Sequence, residues 1–141
     1  MRYVAGMSLQ GQSLRFAPTP QDIETLALDA LNRLPKAFHE HLQGVVLFVE
    51  EFAGADILKD MEIDDPFGLT GLYSGRPVGQ EAQTGDAPPT VHLFRRPLLD
   101  EWVETGVPLE ALITHVVVHE IGHHFGLSDL DMHILEDMVA S

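Results

Sequence analysis

Apolar residues at Ile23, Leu26, Ala27, Ala30, Leu31 and Leu34 recur at helical spacing and predict an amphipathic helix with one core-facing side. Its start is marked by the Thr19 hydroxyl, a proline at position 20 and Asp22 in the first turn, and Pro35 stops it. The first 18 residues show no sustained period and read as a loose arm, with residues 19–141 as the domain. "KAFHEHLQG" predicts a short helical turn closing at Gly44. The run "VVLFVEEF" after it is too short for a typical helix and rich in Val and Phe, so it predicts a buried strand. "GLYSG", Gly71 to Gly75, predicts a second short strand. Residues 76–89, with two glycines and the pair Pro88 and Pro89, predict a loop. "TVHLFR" from Thr90 alternates weakly and predicts a third strand. "DEWVET" from Asp100 predicts a short helix closed by Gly106. From Pro108 to Phe125 the pattern supports one helix of about 27 Å, with Pro108 in its first turn. The chain holds no internal repeat and no low-complexity tract.

Composition narrows what these elements can serve. A chain of 141 residues, 45% hydrophobic and 21% charged, is about one domain's worth of globular protein. Its net charge of −14 argues against nucleic acid as a partner, because phosphates are bound by Lys and Arg. With no cysteine, a transition metal must be held by His, Asp or Glu. The opening residues lack the apolar core of a signal peptide and no stretch approaches 18 apolar residues, so no membrane association and a cytoplasmic location are expected.

The chemistry concentrates in "VVVHEIGHHFGLSDLD", Val116 to Asp131. His119 and His123 are four apart, so on a helix they stand one turn from each other, and two imidazoles can converge on one ion. Glu120 is rotated by about 100° from His119, within reach of a metal-bound water without being a ligand. Gly126 can take the left-handed conformation that ends a helix and turn the chain so that Asp129 returns as third ligand. An accidental HExxH arises in a chain of this composition about 3–4% of the time, and requiring Gly126 and Asp129 lowers that to roughly a few in ten thousand. The spacing therefore points to metal binding.

With those residues in place, "HEIGHHFGLSD" resembles the HExxHxxGxxD signature of zincin-type metallopeptidases. The chain from about residue 18 to 138 is similar to the small bacterial minimal-zincin family. The helix ending in "ALNRLP", the strand "VVLFVEE", "GLYSG" and "VHLFRRPLL" carry the rest of the likeness. The resemblance implies a compact α+β fold, with a small three-stranded mixed sheet packed against helices and the motif on a long helix. It also implies Zn2+ held by His119, His123 and Asp129, with Glu120 as the catalytic carboxylate. In larger zinc proteases of the metzincin type a methionine turn lies well downstream of the motif. Here only twelve residues follow Asp129, and Met132 and Met138 are expected to serve packing.

The remaining polar residues receive quieter roles. His124 points off the metal face and is expected to form hydrogen bonds, His115 to be a packed histidine, and His133 and Glu136 to be fallback ligands. Asp131 or Asp100 could orient a ligand imidazole. Arg95 and Arg96 are expected to solvate a strand end, and His39, His41 and His92 to be surface or structural. Two functions compete. One is a zinc metallopeptidase in which Glu120 takes a proton from water, acting on a peptide or protein laid as an added strand along an open edge of "TVHLFR". The other is a zinc-binding interaction or sensing module with little or no peptidase activity. A compact RNA-cleaving metal hydrolase is disfavoured by the glutamate after the first histidine and by the charge. The sequence leaves the oligomeric state open.

Overall fold

The computed structural model describes residues 16–75 and 87–140. The arm's first fifteen residues, and most of the loop expected at 76–89, lie outside the described residues. Helix α1 (Pro20–Asn32) begins as its sequence requires. The Thr19 hydroxyl accepts from Asp22 N at 3.1 Å, and Asp22 Oδ2 accepts from Thr19 N at 2.8 Å. Two of the four amides that a helix start leaves unpaired are thus satisfied, and Pro20 has no amide to lose. α1 buries Ile23, Ala27 and Ala30. The short α2 (Lys36–His39) runs into a 3-10 turn over Glu40–Leu42, and Gly44 at φ +82° turns the chain into β1 (Val46–Glu50).

β2 (Gly71–Ser74) and β3 (Thr90–Phe94) complete a three-stranded mixed sheet of order β1-β3-β2. β3 is parallel to β1, with Val46 opposite Thr90, and antiparallel to β2, with Gly71 opposite Leu93. This overturns the expectation that "TVHLFR" offers an open edge. β3 is the central strand, and the edges are β1 and β2. Centrality suits its sequence, since Val91 and Leu93 are fully buried against the helices while His92 lies on the opposite face.

Three helical features differ from the sequence reading. Residues 51–70 contain α3 (Ala55–Asp60) and a 3-10 turn over Pro66–Gly68, packed as a small separate cluster around Ala53, Leu69 and Phe94. The helix expected from Asp100 is α4 (Arg95–Thr105), which starts directly after β3 and is closed by Gly106 at φ +72°. Its early start is possible because Pro97 falls in the first turn, where no intrahelical amide is needed. Beyond the motif a further helix, α6 (Asp129–Ala140), buries Met132, Leu135 and Val139.

The motif helix α5 (Leu109–His124) is the centre of the molecule, and Pro108 stands just before it rather than within it. Ile113, Val117, Val118 and Ile121 are fully buried, as befits a helix apolar on most of its circumference. Ala111, His115, His119 and His123, spaced by four, form its most exposed stripe. Arg33, at the end of α1, ties three helices together. It donates to Asp29 O at 3.4 Å, to the buried Thr114 hydroxyl of α5 at 2.9 Å and to Val139 O of α6 at 3.2 Å. Replacing it with alanine strips two acceptors on other helices of a charged donor. Arg33→Ala is expected to cost about 1–3 kcal/mol in urea denaturation. An unchanged midpoint would show that water replaces the guanidinium at no cost.

Candidate metal centre

α5 places His119 and His123 side by side with ring centroids 5.3 Å apart, His119 half-buried and His123 exposed. Neither ring has a hydrogen-bond partner among the described residues, which sets them apart from His92, His115 and His124. Nitrogen lone pairs left free at i and i+4 on an accessible helix face are what a divalent ion uses, so this pair fits one.

Glu120 turns the other way, against β2. Its Oε1 accepts from Tyr73 N at 3.1 Å. The parity of the strand explains this contact. Thr70 O accepts from Phe94 N, so alternate residues of β2 face β3, and Gly71 and Tyr73 present their backbone groups outward. Gly71 permits the close approach. A Cβ there would stand 2.6 Å from Val116 Cγ1 and 3.3 Å from Glu120 Cγ.

His124, expected to form hydrogen bonds, is buried with both nitrogens engaged. Nε2–H donates to His41 O at 2.7 Å, because a carbonyl can only accept, so in the neutral ring Nδ1 accepts the Tyr73 hydroxyl at 2.8 Å. Burial pushes the Tyr73 phenol above its ordinary pKa and keeps it a donor. Tyr73 thus contacts α5 twice, by its hydroxyl at His124 and by its amide at Glu120. Sequence reading missed Tyr73, since only the strand register shows that residue 73 faces α5.

The turn after α5 follows the expectation for Gly126. With φ +67°, it donates from its amide to His123 O at 3.1 Å, and Leu127 N donates to Gly122 O at 2.9 Å, a complete Schellman closure. Asp131 N then donates to the Ser128 hydroxyl at 3.2 Å, capping α6, and Asp129 becomes that helix's first residue with its side chain exposed. The fold brings His119 and His123 together. It does not gather Asp129 with them, and among the described residues no three His, Asp or Glu side chains form a group able to hold one ion. Of the fallback ligands, Glu136 is engaged by His115 at 2.5 Å and His133 is exposed. His115 is therefore not a packed histidine. About half its side chain is exposed, and it pairs with Glu136 while stacking on His119.

Among the described residues neither Asp100 nor Asp131 meets an imidazole, and both are exposed. Arg95 donates to Pro18 O at 2.7 Å and to Glu51 Oε1 at 2.9 Å, and Arg96 lies over the Phe52 ring, so both serve the strand end. Met132 is buried directly against Gly122.

Fold and site together set the chain among α+β proteins built around an HExxH helix. The sequence model of the zincin-like metallopeptidase family matches residues 42–139, and the chain belongs to that family. No curated protein matches it. No helix among the described residues is long and apolar enough to cross a membrane.

Proposed function

We propose that the protein is a zinc-dependent peptidase, with His119, His123 and Asp129 holding the ion and Glu120 as general base. The observation that carries this reading is the Glu120 carboxylate, fixed at one oxygen by Tyr73 N–H, on the same helix as two imidazoles that have no hydrogen-bond partner among the described residues. Zinc, when bound, supplies a Lewis acid that polarises the scissile carbonyl and makes water more acidic. The chain's residues do the rest. The Tyr73 amide holds one oxygen of Glu120, leaving the other to take a proton from the attacking water and pass it to the departing amine. Asp129, exposed on the first turn of α6, is the carboxylate that would have to turn inward to join the imidazoles.

The substrate in this reading is a peptide or protein segment that lies beside Gly71 at the outer edge of β2, next to Glu120. Nucleic acid has no place in it, given the charge of −14, and no apolar stretch of membrane-spanning length gives a membrane one. The test is zinc stoichiometry measured beside cleavage of a mixed peptide library, with and without chelator. One zinc per chain is expected, with cleavage lost on chelation and restored by zinc. One bound zinc without cleavage would instead support the interaction or sensing module.

A further inference from the structure

Ser74 follows Tyr73 by one residue and therefore points to the other face of the sheet, away from α5. There it meets His92 of β3, which in turn meets Glu50 of β1. His92 Nε2 is 3.1 Å from Ser74 Oγ, and His92 Nδ1 is 2.9 Å from Glu50 Oε1. A carboxylate only accepts, so Nδ1 carries the proton, and Nε2 of the neutral ring is left as the acceptor of the serine hydroxyl. This order of hydroxyl, imidazole and orienting carboxylate is the arrangement that activates a serine. The line is accessible, with 20% of the His92 side chain and 37% of the Glu50 side chain exposed, and Ser74 exposed as well. Phe48, 53% exposed, lies beside the His92 ring at 6.4 Å between centroids and gives the face an apolar surface.

We propose that Ser74 is an activated nucleophile that accepts an acyl group from small aryl or short-chain carboxylic esters, independently of the metal centre. His92 is the base and Glu50 the residue that positions it. Ser74 Oγ bonds to the ester carbonyl carbon and the ester C–O bond breaks. The serine proton passes to His92 Nε2 and from there to the departing alkoxide or phenoxide. Water then cleaves the acyl-serine, releasing the carboxylic acid and returning the hydroxyl to Ser74.

The experiment treats the full chain with p-nitrophenyl acetate, follows nitrophenolate release and locates the acetyl group by peptide mass spectrometry. An acetyl on Ser74 is expected, absent in Ser74→Ala, whose melting midpoint should match the parent. His92→Phe keeps an aromatic ring beside Phe48 and should slow acylation by about 100-fold or more. Glu50→Gln can still accept from Nδ1, so it should slow the reaction while the acetyl stays on Ser74. Chelator should leave the rate unchanged, which separates this site from the metal centre. Acetyl found on Lys36, Lys59 or His92 with Ser74 unmodified, an unchanged rate in Ser74→Ala, or loss of acylation on chelation each overturns the proposal.

Discussion

Glu120→Gln is expected to reduce peptide hydrolysis by about 10²–10⁴-fold while leaving zinc stoichiometry unchanged. The amide oxygen of glutamine can still accept the Tyr73 N–H that Oε1 accepts at 3.1 Å, so the side chain keeps its place between α5 and β2. What it loses is the ability to take a proton. His123→Ala should behave differently. It removes one of the two adjacent imidazoles on α5, and zinc binding and hydrolysis should fall together. The pair of variants separates base from ligand, with metal content read by elemental analysis and cleavage by peptide mass spectrometry. Hydrolysis that survives in Glu120→Gln would remove the general-base assignment. Zinc content that survives in His123→Ala at the parent affinity would move the ion elsewhere.

The parts of this site that sequence alone exposes are those whose causes are local. Thr19, Pro20 and Asp22 set the start of α1 within four residues. Gly126 takes the φ its position needs, and His119 and His123 share a face because a helix repeats every 3.6 residues. Elements held by distant partners are less legible. α3 is six residues long and stands on a cluster that draws Ala53, Leu69 and Phe94 from separate stretches, and no periodicity can form over so short a run. The central place of β3 depends on pairing with strands about 20 and 44 residues earlier, which its weak alternation does not encode. His92 has no chemical neighbour in sequence. Only the cross-strand arrangement reveals Glu50 and Ser74 on either side of it, just as only strand parity reveals Tyr73 above Glu120. α6 is hidden for a related reason. Leu130, Ile134 and Met138 stay exposed while Met132, Leu135 and Val139 are buried, so apolar residues on both faces blur the stripe.

The packing of α6 on α5 yields the second large effect. A Cβ added at Gly122 would stand 2.5 Å from Met132 Cγ and closer still to its Sδ, so the glycine is what lets the methionine lie against the motif helix. Two terms oppose each other in Gly122→Ala. Alanine gains about 0.8–1.0 kcal/mol of helix propensity over glycine, while overpacking a buried contact costs about 1–3 kcal/mol. Met132 is buried and cannot swing into solvent without giving up its packing, so the clash should win and the variant should be less stable. Met132→Ala alone should cost about 2–5 kcal/mol, because it opens a cavity under α5. In the double variant the clash disappears and the propensity gain remains, so the loss should be smaller than the sum of the two, with a coupling of about 1–3 kcal/mol in urea denaturation. Additive losses would mean that α6 shifts freely and Met132 does not set its position. Zinc affinity measured on the same proteins extends the argument to the site, because α6 carries Asp129 on its first turn. If Asp129 joins the imidazoles as proposed, Gly122→Ala should weaken zinc binding by displacing that turn, and removing the Met132 side chain in the same chain should recover part of it.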